Sequence, residues 1–160
     1  MSKPGLRVAV LGSLVALALG ACSSNSNPGG GGANNFVGTW TYGTGSTLMP
    51  MNCSILGTAV PNISLDGQML VITKIDDSHI SAALGSMCNI HFTVNGTTAT
   101  ADSGQTCNIT YMIITFALNV SSWTLTANGS TLTSTESGSA PIGGANCTAT
   151  GNGTLTGQGG

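Results

Sequence analysis

Charge is nearly missing from this chain: 5% of its residues are charged, and beyond Arg7 the sequence carries one cation, Lys74. Neutralising nucleic-acid phosphates takes clusters of lysine and arginine, so nucleic acid is excluded as a partner, and so is polybasic attraction to anionic lipid. There is no run of about 20 apolar residues, the length that crosses a bilayer as a helix. Helical periodicity is absent from the bulk of the chain, which removes the bundle and α/β classes. No Gly-x-Ser-x-Gly elbow occurs, and no two cysteines lie at metal-knuckle spacing, so the sequence gives no catalytic residue, no cofactor motif and no metal site.

The first 22 residues have a pattern of their own. Lys3 and Arg7 form a short basic start, and Val8 to Leu19 follow as an apolar stretch broken by Gly12 and Ser13. That is the order of an export signal. Leu19-Gly20-Ala21-Cys22 closes it. These residues resemble the Leu-small-small-Cys lipobox of bacterial lipoproteins. The resemblance implies alkylation of the Cys22 thiol with diacylglycerol, cleavage before Cys22 and acylation, palmitate included, of the new amino terminus. Thiolate is the side-chain nucleophile suited to that step. Ser23 after the cysteine implies release to an outer membrane, and the location expected is the bacterial cell envelope, on its periplasmic face or at the cell surface. An ordinary secretory signal cut after Gly20 is the alternative, and Leu19 suits it poorly.

Removing 1–21 leaves Lys74 against five carboxylates, a net charge of −4 with histidines neutral. Residues 22–35 read as the lipidated cysteine and a flexible Gly/Ser/Asn tether of about 20 Å reach. A single β-domain is expected over 36–157, with 158–160 as a tail. Four cysteines remain: Cys53, Cys88, Cys107 and Cys147. In an exported domain an even number implies two disulfides with three possible connectivities. The pairs favoured are Cys88–Cys107, which closes a loop of roughly 20 residues, and Cys53–Cys147.

Alternation of apolar and small polar residues marks strands. The clearest are Cys88 to Val94 and Thr97 to Asp102 around Asn95-Gly96, and Trp123 to Ala127 and Ser130 to Ser134 around Asn128-Gly129. A turn at each Asn-Gly pairs Val94 with Thr97, Phe92 with Ala99 and Leu125 with Leu132, with His91, Thr93, Thr98 and Thr100 on the wet face. Further strands are expected over 36–43, 50–57, 68–75, 79–84, 109–118 and 146–156, with turns at Asp66-Gly67 and Asp76-Asp77-Ser78. Eight to ten antiparallel strands in a meander make an all-β domain, an up-and-down barrel rather than a sandwich.

Gly38-Thr39-Trp40 on the first strand is similar to the Gly-x-Trp start of lipocalin-like barrels, in which the Trp closes one end. The arginine those proteins pack over it has no counterpart in this sequence. The domain also resembles Thr/Gly-rich four-cysteine bacterial lipoproteins. A lipocalin-like reading implies a carrier of a small apolar ligand, lined by Trp40, Met69, Phe92, Ile114 and Phe116. It requires an enclosed cavity of about 300 Å³ or more.

Other constellations are weaker. His79 and His91 are the only histidines and fall at a turn and on a wet face. Catalysis would require one of them within about 3.2 Å of an Asp and a Ser in a cleft. Asp76 and Asp77 are adjacent, a poor arrangement for flanking one bond, and read as a charged turn. Calcium held by Asp66, Asp76 and Asp77 matches no loop spacing. Eight Asn-x-Ser/Thr sequons follow from Asn- and Thr-rich strands and turns. The leading reading is a non-enzymatic, envelope-anchored binding or surface-structural domain, with an envelope protein as partner. A carrier is second and a hydrolase third.

Overall fold

Residues of alternating polarity pair best when one face of a sheet is dry, and a sheet that closes on itself makes one dry face for all its strands. This chain does so. The computed structural model describes residues 32–48, 52–53, 63–111, 114–142 and 144–159. The strands are β1 (Gly38–Tyr42), β2 (Thr47–Leu48), β3 (Asn52–Cys53), β4 (Ile63–Ser64), β5 (Met69–Lys74), β6 (His79–Leu84), β7 (Cys88–Asn95), β8 (Thr98–Ala101), β9 (Thr106–Tyr111), β10 (Ile114–Asn128), β11 (Thr131–Ile142) and β12 (Ala145–Gly159). Pairing runs β1-β5-β6-β7-β8-β10-β11-β12, and β12 returns to β1, so eight strands close an antiparallel up-and-down barrel. No α-helix occurs among the described residues; a 3-10 turn covers Ala33–Asn35.

The barrel has two unlike ends. At one, which we call the tether end, lie the β5–β6, β7–β8 and β10–β11 turns, the last residues of β12 and the entry of the chain at Gly32. At the other, β10, β11 and β12 run on past the barrel wall. There β9 adds to the first half of β10, while β2 and β3 add to the first half of β12 and β4 adds to β2. Strand β10 serves both regions because its register shifts between Val120 and Ser122. The extra residue re-phases the strand, so that Leu118 before it and Trp123 and Leu125 after it all face inward.

Several expectations need correction. Both tight hairpins are displaced by two residues: Asn95 pairs with Thr98 and Val94 with Ala99, and Asn128 pairs with Thr131 and Ala127 with Leu132. The two-residue loops are Gly96-Thr97 and Gly129-Ser130, with Gly96 at φ 62° and Gly129 at φ 61°. Glycine at the first loop position is the Gly-x choice that lets the turn follow the strand twist. A shift of two preserves parity, so the apolar and wet faces are as expected. The single strand expected over 109–118 is two, β9 and β10, reversing between Tyr111 and Ile114. Strand β12 continues through the expected tail to Gly159, where its glycines pair with Gly38 and Trp40. The last residues of the expected tether are part of the fold: Ala33 is buried and its N–H donates to the Asp77 carbonyl at 3.2 Å.

The core fills the barrel. Phe36, Trp40, Tyr42, Leu65, Leu70, Ile72, Ile80, Leu84, Ile90 and Phe92 are fully buried. Trp40 plugs the tether end and donates from Nε1 to the Phe36 carbonyl at 2.7 Å, so its one polar atom is satisfied. Phe92 and Trp123 meet edge to face across the interior, their ring centroids 5.6 Å apart.

Candidate functional site

Towards the far end of the barrel the interior becomes polar. Tyr42 on β1, Trp123 on β10, and Ser134 and Glu136 on β11 converge there. The Trp123 Nε1–H donates to Ser134 Oγ at 2.8 Å, the Tyr42 hydroxyl donates to Glu136 Oε1 at 3.2 Å, and the Ser134 hydroxyl donates to the same oxygen. Glu136 is 8% exposed, and its Oε2 is buried with no hydrogen-bond partner among the described residues. Burial pushes the Glu136 carboxyl above the ordinary carboxylate range, against the pull of its Ser134 and Tyr42 hydrogen bonds. Burial, and then the neighbouring Glu136, hold the Tyr42 phenol protonated well beyond the usual tyrosine range.

Room for these side chains comes from β12. A methyl group on Gly151 would lie 2.6 Å from Glu136 Oε2, and one on Gly153 would lie 2.7 Å from the Tyr42 ring and 2.9 Å from Ser46 Oγ. Gly153→Ala should therefore cost about 1–3 kcal/mol by overpacking. Chemical denaturation of that variant measures it, and unchanged stability would mean that the Tyr42 ring moves aside freely.

The cavity bordered by Tyr42, Glu136, Trp123, Leu118 and the Cys88–Cys107 disulfide has a volume of about 20 Å³. That is room for water, not for an apolar ligand. A second concavity, open to solvent and about 300 Å³, lies on the outer wall among Thr44 to Ser46, Thr133 to Thr135 and Asn152 to Thr154. Its lining is hydroxyl, amide and glycine.

The expected ligand-lining residues do not form one lining. Trp40 and Phe92 are core, and Phe116 is half-buried against it. Met69 is 57% exposed on the outer face of β5, because Leu70 and Ile72 take the inward positions. Ile114 opens β10, and its side chain lies outside the described residues, as does Cys22 altogether. Cys88 and Cys107 are disulfide-bonded to each other. Cys147 is also disulfide-bonded, and the backbone of Cys53 stands directly opposite it.

The histidines have local roles. His79 Nδ1 lies 2.8 Å from Asp76 Oδ1 and 3.2 Å from Ser78 Oγ. Those are triad-like distances, but both contacts fall on one ring nitrogen, and the trio sits on an exposed turn rather than in a cleft. A charge-relay arrangement places the acid and the nucleophile on opposite nitrogens. The Ser78 N–H, then His79, hold the Asp76 carboxyl down at about 2. His91 faces outward on β7, and its backbone pairs with the Gln105 side-chain amide at 2.7 and 2.8 Å. Asp66 and the Asp76-Asp77 pair lie at opposite ends of β5, about 20 Å apart at strand rise, so they cannot share a cation. No group of three metal-ligating side chains occurs among the described residues.

Glu136, Ser134 and Tyr42 do not stand out in the sequence as site residues. Parity was the available signal: Leu132, Ser134 and Glu136 alternate on one face of a strand whose other face is threonine. No protein family, curated protein or solved structure matches this chain.

Proposed function

We propose that this chain is an envelope lipoprotein, anchored through an acylated Cys22, whose barrel is a non-enzymatic module acting through its outer surface. One observation carries the reading: the interior is packed across by Trp40, Phe92 and Trp123, and the cavity beside Glu136 holds about 20 Å³. A carrier of the lipocalin kind encloses more than ten times that volume. The outer wall offers threonine, serine and asparagine rows and the open polar groove.

Two measurements test the proposal. An environment-sensitive apolar fluorophore titrated into the purified protein should show no saturable one-to-one binding; saturable binding lost on a Phe92 or Trp123 substitution would restore the carrier reading. For the anchor, Cys22→Ser should move the protein from the membrane pellet to the soluble fraction. Two or three acyl chains, at about 0.8 kcal/mol per methylene, give effectively permanent attachment. A free amino terminus at Ala21 in the wild-type protein would overturn the anchor.

A further inference from the structure

We infer that the outer face of β5 is a membrane-contact surface, and that the barrel lies with this strand against the lipid that holds its own anchor. This rests on the acylation of Cys22 proposed above. Three large apolar side chains are conspicuously exposed among the described residues: Met69 at 57%, Ile75 at 53% and Val71 at 41%. All three belong to one stretch of chain. Met69 and Val71 are outward positions of β5, and Ile75 continues the same parity past its end, where its N–H donates to the His79 carbonyl at 3.0 Å.

The place where the chain enters the fold picks the occupant. Gly32 and Ala33 sit at the β5–β6 turn, the Ala33 N–H bonded to the Asp77 carbonyl, and Lys74 Nζ reaches Asn34 Oδ1 at 3.1 Å. Gly32 lies ten positions after Cys22, a span of at most about 35 Å whatever the conformation. An acylated Cys22 therefore keeps Ile75 within reach of the bilayer at all times. The tether is also long enough for the barrel to lie on its side, bringing Val71 and Met69 down with it.

No charged residue is a register neighbour of Met69 or Val71. The register neighbours of Val71 are Thr39 and Ala83, and Thr41 stands opposite Met69. At the turn beside Ile75, Lys74 Nζ is paired with Asp77 at 2.6 Å, and Asp76, hydrogen-bonded to Ser78 and His79, is exposed, so these groups can keep their water at headgroup level. Isolated, such a stripe is too small to hold a soluble protein on a bilayer; beside a lipid anchor the contact is intramolecular, and a weak preference fixes orientation.

The test uses the full acylated chain reconstituted in phosphatidylethanolamine–phosphatidylglycerol vesicles doped with a phospholipid carrying a photoactivatable carbene precursor in its acyl chain. After irradiation, peptide mapping should place adducts on residues 69–75, and Met69→Ser, Val71→Thr and Ile75→Ser together should cut them about ten-fold, with the melting temperature unchanged because the positions are exposed. Adducts absent from 69–75, or concentrated on the far end, would overturn the inference. So would the linking of two chains through β5 by a separate bifunctional cross-linker, with no lipid adducts there, which would mark the stripe as a contact between copies. The amino-terminal peptide of the same digest reports acylation of Cys22 separately. An unmodified amino-terminal peptide overturns the anchor and the inference with it, whereas an acylated peptide without adducts on 69–75 overturns the inference alone.

Discussion

Replacing Cys88 and Cys107 together by alanine should lower the unfolding free energy by about 3 kcal/mol and the melting temperature by roughly 10 °C. The bridge spans a sequence separation of 19, and closing a loop of that size in the unfolded chain accounts for the figure. Its position says where the loss falls. Cys88 opens β7 in the barrel wall, whereas Cys107 is on β9, which pairs with β10 beyond the closed part. The disulfide thus pins the extension to the barrel, and both cysteines are buried. In the double variant, amide exchange should accelerate over Thr106–Tyr111 before it does so in β5 to β8. The intact protein should resist thiol reductants until it unfolds. A melting temperature within a degree or two of wild type would show that β9 and β10 hold the extension without the staple. Non-reducing peptide mapping provides the companion check, with Cys53–Cys147 as the expected second bridge.

Much of this architecture could be read from period-two alternation, and the places where reading stopped have physical causes. His79–Leu84 is found with the bounds expected, because Asp76-Asp77-Ser78 and Gly85 punctuate it. The reversal between β9 and β10 was illegible: Ile109 to Leu118 contains no glycine, proline or asparagine to mark a turn. Hairpin register differs by two from the Asn-Gly expectation because either Asn-Gly or Gly-x can occupy the loop of so strong a turn signal. The face of β5 was hidden for another reason. Met69-Leu-Val-Ile72 is apolar at every position, so only pairing with β1, where Leu70 stands opposite Trp40, decides which side is dry.

The buried site was unreadable for a reason that also makes it testable. A lone glutamate in a threonine-rich strand reads as solvent-facing, since carboxylates are rarely buried unpaired. Here the glycines of β12 and the hydroxyls of Tyr42 and Ser134 make a place for it, without a cation among the described residues: Lys74 is at the tether end, bonded to Asp77. The carboxyl can enter this environment cheaply only with its proton on.

A pH dependence of definite sign follows. With the folded pKa of Glu136 raised, the folded state holds a proton that the unfolded chain releases, so its contribution is complete below about 4.5 and is lost as pH rises through the folded value. Within that window stability should fall by up to about 1.4 kcal/mol per pH unit. Asp76 acts oppositely and lower, its contribution being lost as pH falls from 3.8 through about 2, and Tyr42 stays protonated throughout, so neither masks the effect. Glu136→Gln keeps the volume and the acceptor that Tyr42 and Ser134 use but cannot ionise. Its unfolding free energy, measured by denaturant titration from mildly acidic to mildly alkaline pH, should lose the Glu136 slope and cross above wild type at the alkaline end. Parallel curves for the two proteins would mean that Glu136 ionises in place, with water in the small cavity supplying the partner that its Oε2 lacks, and would overturn the assignment of a protonated buried acid.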